Sequence, residues 1–232
     1  MSNSKLSYQI AGAIALCFLF APWSRATTVN ITLDGNLAAP DYAFYSYTDT
    51  QGEAQNAIPI APYITYLSGA GYNNTLVYTI CYDINSPTNV GTSYSGQFAV
   101  LTDTATLEAT YLVNKLVNAG LLDAPLAVRG ALSLAIWEIM YPSSSTNSMA
   151  FPVDPAAHTY EVEAATAVTD HLWTAADSAR YPTWIPDNPS LQRLGTILLD
   201  VSPATATPEP GTWALIGLGI FALTGYRRRW RH

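Results

Sequence analysis

Two short segments carry the side chains with the clearest chemical potential. In the first, Cys81 is followed two residues later by Asp83, and the alternating pattern predicts a strand with both side chains on one face. In the second, Ser133 and Trp137 lie four residues apart in a predicted helix, and Ser133 comes 52 residues after Cys81. The thiol has three possible fates, which are inert burial, pairing with another chain, and reaction. The sequence leaves all three open.

Each of these residues also has a purely structural interpretation. A cysteine on a half-buried strand is most often a small buried hydrophobe. A serine in a central helix usually bonds to the carbonyl four residues back, which for Ser133 belongs to Arg129. Trp137 is predicted to be a core anchor. We favour these structural interpretations over a reactive site.

Other combinations that would indicate an enzyme are missing from the sequence. His158 and His171 are 13 residues apart, so they do not form the i, i+4 pair that binds a metal on a helix. Glu161 and Glu163 point about 200° apart on a helix, which leaves a glycosidase pair unsupported. There is no phosphate loop, Cys-x-x-Cys or Gly-x-Ser-x-Gly element. We therefore predict no catalytic residue, no metal site and no cofactor.

The segments Ile80-Cys81-Tyr82-Asp83 and Leu132–Glu138 resemble the two signatures of bacterial thioester domains. The resemblance implies that Cys81 stands where the family has its reactive thiol. It also implies that Trp137 belongs to the Gln-x-Ala-Ile-Trp motif, whose glutamine supplies the amide that the thiol attacks. Ammonia leaves, and the resulting internal thioester can acylate an amine on a partner.

The chain departs from this pattern at the decisive position, because Ser133 stands where the family has glutamine. Serine has no carboxamide carbon, so Cys81 has no acyl donor there. Gln97, in the predicted loop Ser93 to Phe98, is an alternative donor if that loop folds beside Cys81. The resemblance therefore implies a degenerate thioester fold that keeps the scaffold without the bond.

The elements that must position these residues change in type along the chain. Alternation with Val, Ile, Thr and aromatic residues predicts strands at Thr28–Leu33, Tyr42–Thr48 and Leu76–Ile84, and a closing strand at Leu194–Val201. The pattern between them predicts three helices. They are Thr104–Ala119 capped by Asp103, Leu126–Met140 ended by Pro142, and a helix that starts at Asp154-Pro155, buries a stripe reaching Leu172 and fades near Ala179.

This order of strands, then helices, then a strand predicts an α+β fold. We expect a sandwich-like or barrel-like strand layer and a segregated layer of three helices. The predicted domain boundaries are a signal peptide at 1–26, the ectodomain at 27–203, a linker at 204–212, and a transmembrane helix with a basic tail at 213–232.

The N-terminal segment 1–26 has the three parts of a secretory signal. Lys5 precedes an apolar run from Ile10 to Ala21, and the small residues Ser24 and Ala26 flank Arg25 just before a predicted cleavage after Ala26. The run is short for a permanent anchor, since a spanning helix needs about 20 residues. We therefore expect an exported mature chain in which Cys81 is the sole cysteine.

The C-terminal segment has a polar breaker, an apolar run from Trp213 to Tyr226, and a basic end. It resembles the PEP-CTERM sorting signal, whose residues here are Pro208, Glu209 and Pro210 before the helix and Arg227, Arg228, Arg229 and Arg231 after it. The resemblance implies an exosortase-type membrane protease as partner. It also implies a transient stay in the inner membrane through the C-terminal helix, and release to the cell surface or extracellular matrix.

Between the two ends, the chain has 16 acidic residues and only four basic ones, which are Lys115, Arg129, Arg180 and Arg193. This charge disfavours nucleic acid and anionic lipid as partners. We predict an exported protein with an adhesive or structural role among surface or matrix components. Two alternatives stay open, namely a covalent adhesin that uses Cys81 with an unconventional acyl donor, and a secreted hydrolase with an unrecognised site.

Overall fold

Six of the eight strands in the described part of the chain close into an antiparallel barrel. The computed structural model describes residues 28–34, 43–60, 62–84, 86, 89–142 and 149–198, which all lie within one compact unit spanning 27–201. The strands are β1 (Val29–Leu33), β2 (Ala43–Thr48), β3 (Ala54–Ile60), β4 (Tyr63–Gly69), β5 (Tyr72–Cys81), β6 (Ser93–Ala99), β7 (Thr183–Pro186) and β8 (Leu194–Ile197).

Strands that are distant in sequence lie side by side in the barrel. Its order is β1-β4-β5-β8-β7-β6, and β6 closes the ring by pairing with β1. Strand β5 pairs with β4 on one side, where Tyr78 lies opposite Ile64, and with β8 on the other, where Cys81 lies opposite Leu194. Strands β2 and β3 form a separate two-stranded sheet.

The alternation along β5 divides its side chains between two cores. Val77 and Cys81 point into the barrel and join its core with Leu67, Trp184 and other residues. Ile80 and Tyr82 point the other way, into a second core formed largely by the helices. The predicted two-faced pattern of this strand is therefore confirmed. Strand β5 lies between the barrel core and the helical core and contributes side chains to both.

In the described residues, four helices lie between β6 and β7 in sequence. They are α1 (Thr104–Asn118), α2 (Leu126–Met140), α3 (Pro155–Thr169) and the short α4 (Ala175–Ser178), with a single 3-10 turn at Leu121–Asp123. Asp103 caps α1 as predicted, since its Oδ1 accepts from the Thr106 amide at 2.9 Å. Helix α2 has the predicted bounds and is buried from Arg129 to Trp137, so its prediction as a central helix is confirmed.

The third predicted helix is wrong at its C-terminal end. Helix α3 starts after the Asp154 cap as expected but ends at Thr169. His171 then adopts a left-handed conformation with φ of 56°, which breaks the helical path. As a result, Leu172 is 74% exposed instead of continuing the buried stripe, and Trp173 is buried in its place.

The predicted α+β class is confirmed, since the described residues form a barrel and several helices. Strands β3, β4, β6 and β7 were not predicted, and the expected loop Ser93 to Phe98 is strand β6. Among the described helices, none has the length and apolar character needed to span a membrane. The predicted signal peptide, linker and transmembrane helix lie outside the described residues.

Candidate functional site

Cys81 is the last residue of β5, and its side chain is sealed inside the barrel. It is 3% exposed and forms no disulfide. Burial raises the pKa of the thiol well above its usual range, and the nearby Asp83 carboxylate raises it further. Because the thiolate is the nucleophilic form, this environment keeps the sulfur unreactive. Of the three fates open to the thiol, the structure supports inert burial.

Trp137 joins the two predicted motifs through a hydrogen bond to the backbone of Cys81. Its indole Nε1 donates to the Cys81 carbonyl oxygen at 3.1 Å. The ring is 2% exposed and packs edge-on against Tyr47, with ring centroids 6.2 Å apart, and at a tilt against Phe151. The prediction that Trp137 is a core anchor is confirmed. The contact is also what fixes the end of β5 against α2.

Asp83 follows the end of β5 and connects three segments. Its Oδ1 accepts a hydrogen bond from the Tyr141 hydroxyl at the C-terminal end of α2. Its Oδ2 lies 4.0 Å from Nε of Arg193, in the segment before β8. Burial and the Asp83 hydrogen bond raise the pKa of Tyr141 above its usual range. Asp83 therefore links the end of β5 to the end of α2 and to the segment before β8, and we call these contacts the Asp83 tie at the barrel mouth.

Ser133 lies in the buried centre of α2 and makes no bond that would involve it in chemistry. The side chain is 1% exposed, and its Oγ has no hydrogen-bond partner among the described residues. The predicted bond to the Arg129 carbonyl is therefore wrong. A buried hydroxyl without a partner costs about 1–3 kcal/mol, so Ser133 is a locally unfavourable residue in this helix.

Gln97 does not serve as the alternative acyl donor beside Cys81. It lies on strand β6, opposite Ile185 of β7, and is exposed. Its neighbour Phe98 faces the other way and packs against the barrel core that contains Cys81. Strand alternation thus directs Gln97 away from the thiol.

A groove on the helical side of the molecule was missed in the sequence. It has a volume of about 880 Å³ and is lined by residues of α1, α2 and α3 and of the segment before α3. Its apolar lining includes Ile139 and Phe151. Four acidic side chains also line it, and they are Glu108, Glu138, Asp154 and Glu161.

Two of these acids, Glu138 of α2 and Glu161 of α3, line the same groove and are near enough for Glu161 to affect the pKa of Glu138. Burial, followed by the neighbouring Glu161 and the charge of Asp154, raises the pKa of Glu138 from 4.5 to about 8. Glu161 also lies 3.1 Å from Nδ1 of His158. Glu163, in contrast, pairs with Lys115 of α1. The one signal available in the sequence was an acid at position 138 at the end of an apolar helix.

Asp154, another acid of the groove, accepts a hydrogen bond at Oδ2 from the Tyr45 hydroxyl of β2 at 3.0 Å. Burial and the neighbouring Asp154 raise the pKa of Tyr45 to about 12, so it remains a donor at neutral pH. Across the described residues, no three His, Cys, Asp or Glu side chains are arranged to hold a metal ion.

Comparisons with known proteins place the clearest similarity at the C-terminus. The PEP-CTERM protein-sorting motif family matches residues 206–229. Among solved structures, the chain is similar to the N-terminal thioester domain of the fibronectin-binding protein SfbI from Streptococcus pyogenes. That similarity has 13% identity and a TM-score of 0.31, and it covers 72% of this chain and 98% of the other. No curated protein matches the chain.

The matched residues include Pro208, Glu209 and Pro210 and the arginines at 227–229, whereas Arg231 lies beyond them. All of these positions lie outside the described residues. The motif implies processing by an exosortase, with export, membrane passage and surface display. The predicted PEP-CTERM protein-sorting motif is thereby confirmed, and this chain is an exosortase-sorted exported protein.

Proposed function

We propose that the exported domain is a non-covalent structural or adhesive module of the cell surface or extracellular matrix. The observation that carries the proposal is the state of Cys81. Its sulfur is buried and free, while its carbonyl is held by Trp137. This geometry supports a scaffold in which the strand and the helix are fixed together by packing and a hydrogen bond, with no covalent link between them.

The chemistry of the neighbouring residues supports the same proposal. Thioester formation needs a thiolate that attacks a carboxamide carbon and expels ammonia. The Cys81 pKa is raised, so little thiolate forms at neutral pH. Ser133 offers a hydroxyl and no acyl carbon, and Gln97 lies on an outward face. Adhesion by this module is therefore proposed to rely on its surface and not on acylation.

The experiment is an intact mass measurement of the protein recovered from its native cell surface, with and without methylamine. We expect the mass of the processed chain with no loss of ammonia, and no methylamine adduct. Loss of one ammonia that disappears in Cys81→Ala would overturn the proposal in favour of a covalent adhesin.

Ser133→Gln is the matched variant, because it restores a carboxamide at the helix position that the resemblance assigns to the acyl donor. If β5 and α2 keep the required geometry, this variant loses one ammonia and becomes sensitive to methylamine while the parent does neither. Adhesion itself is tested by comparing the attachment of cells that display the chain with that of cells lacking it. Equal attachment and an unaltered matrix would contradict the adhesive or structural role.

A further inference from the structure

The groove on the helical side exposes apolar side chains to solvent. Val153 and Val162 line it and are 96% and 53% exposed. Ile139 and Phe151 also line it and are half-buried. The volume of the groove, 880 Å³, lies within the range of about 300–1,000 Å³ that is typical of ligand clefts. A concave surface of this size with an apolar lining has the form of a binding site.

Three half-buried glutamates also line the groove, and each comes from a different helix. They are Glu108 of α1, Glu138 of α2 and Glu161 of α3. Asp154 is the fourth acid of the lining, but its oxygens already cap α3 and accept a hydrogen bond from Tyr45. The three glutamates are therefore the acids of the lining that a partner would engage.

The negative charge of these glutamates is not offset within the groove. Its described lining contains no lysine or arginine, and Lys115 of α1 pairs instead with Glu163. Burial and the neighbouring Glu161 raise the pKa of Glu138 to about 8, and burial with the charge of Glu161 also raises the pKa of Glu108. A positive group bound here would favour both carboxylates and release protons. The groove is thus complementary to a cationic partner.

The lining also indicates what kind of cation would bind. Across the described residues, no three His, Cys, Asp or Glu side chains are arranged to hold a metal ion. A bare cation would also leave the exposed valines of the groove uncovered. A peptide with basic and apolar side chains matches both features, because its apolar groups can cover the valines while its basic groups donate to the carboxylates.

We propose that this groove is the partner-binding surface of the module, and that it binds a short peptide segment with lysine or arginine beside apolar side chains. The inference rests on the proposed non-covalent adhesive function and names the surface and the class of partner. In the complex, apolar side chains of the segment cover Val153 and Val162. Its basic side chains donate to Glu108, Glu138 and Glu161.

The test uses the full-length chain in a nonionic detergent and a short labelled peptide of alternating leucine and arginine, capped at both ends. Fluorescence anisotropy gives the dissociation constant, with protein-free micelles as the blank. We expect saturable binding that weakens as salt is added. A leucine–glutamate peptide should not bind, and a serine–arginine peptide should bind several-fold more weakly. No saturable binding of the first peptide, or equal binding of the serine–arginine peptide, overturns the proposal.

Two variants of α3 locate the binding. Glu161→Gln removes a charge inside the groove, whereas Glu163→Gln removes the same charge from the same helix outside the groove lining. We expect several-fold weaker peptide binding in Glu161→Gln and little change in Glu163→Gln. Equal weakening in both would indicate general attraction to an acidic chain and would overturn the site.

Val153→Ser provides a second variant where Glu161→Gln does not fold, because a side chain that is 96% exposed contributes little to the core. It should weaken binding of the leucine–arginine peptide, since it removes apolar contact area. Binding as tight as that of the parent would contradict the proposed site.

Attachment of cells that display these variants separates this inference from the proposed function. We expect cells with Glu161→Gln to attach less than cells with the parent chain or Glu163→Gln. If parent cells attach and both groove variants, Glu161→Gln and Val153→Ser, attach equally well, the groove assignment fails while the adhesive role stands. If parent cells attach no better than cells lacking the chain, the adhesive role fails and this inference fails with it.

Discussion

The two sides of strand β5 differ in how much solvent reaches their ionisable side chains. On the barrel side, Cys81 is enclosed among apolar side chains and its thiol is held in the protonated form. On the helical side, the groove is open to solvent, and burial and the neighbouring Glu161 raise the pKa of Glu138 to about 8. The closed ring of strands keeps the thiol away from solvent, whereas the groove between the helices leaves several acids in contact with it.

Truncation of Trp137 is expected to have the largest effect, because this residue lies where the two sides meet. Trp137→Ala should destabilise the domain by about 3–5 kcal/mol, as truncations of buried aromatic residues do. Thermal or urea unfolding of the purified chain measures this. Val153→Ala is the control, since Val153 is 96% exposed, and it should leave the unfolding curve unchanged. Normal stability of Trp137→Ala with lost attachment would instead assign Trp137 to a binding surface.

Substitution of Cys81 tests how dry the barrel side is. Cys81→Ser places a hydroxyl among apolar neighbours and should destabilise the domain by about 1–3 kcal/mol. Cys81→Ala is the matched control and should cost less, since it adds no polar atom. A disulfide reagent should modify the parent thiol slowly when folded and rapidly in urea. Fast labelling of the folded chain would show that the barrel side is open.

Tyr141 tests the tie at the barrel mouth. Tyr141→Phe removes the donor to Asp83 and should destabilise the domain by about 1.5 kcal/mol, because its acceptor is ionised. Tyr181→Phe removes a similar hydroxyl whose acceptor is the neutral Oδ1 of Asn114 at 2.9 Å, so it should cost less. Chemical unfolding of both variants gives the comparison. A larger loss in Tyr181→Phe would contradict the importance of the Asp83 tie.

The pair of Lys115 and Glu163 on the helical side should have the smallest effect on global unfolding. Their side chains are 30% and 41% exposed, and solvent screens such pairs. We expect Glu163→Gln to change the free energy of unfolding by no more than about 0.5 kcal/mol. Added salt should reduce even that difference. A loss of several kcal/mol would mean that this pair is far less screened than its exposure suggests.

The elements predicted well are those whose pattern is local. Helix α2 has a cap region, an apolar run and a terminating Pro142 in one continuous segment, and its bounds were predicted correctly. Strand β6 has the polar sequence SYSGQFA, which suggested a loop. It is a strand paired with β1 and β7, and Gly96 allows the close approach of β7, because a Cβ there would meet the Ile185 carbonyl oxygen at 2.3 Å and the Trp184 ring at 2.6 Å. Such a fit depends on a residue far away in sequence.

The candidate site was predictable to the same extent. Alternation along β5 gave the orientation of Cys81, and the helical pattern gave the burial of Trp137. The unpartnered hydroxyl of Ser133 depends on how neighbouring side chains pack around α2, which no local pattern contains. The placement of Glu138 and Glu161 in one groove depends on the side-by-side packing of two helices, which no local pattern contains either.

Closure of the barrel also bears on how the protein behaves when crowded at a surface. Each of its six strands has a neighbour on both sides, so the ring offers no free strand edge to another copy. The described strands that have only one strand neighbour are β2 and β3 of the separate two-stranded sheet, and Thr48 of β2 also bridges to Ala150. Sheet-to-sheet joining between molecules would therefore have to start at this ribbon, and the barrel that encloses Cys81 stays intact at high local concentration.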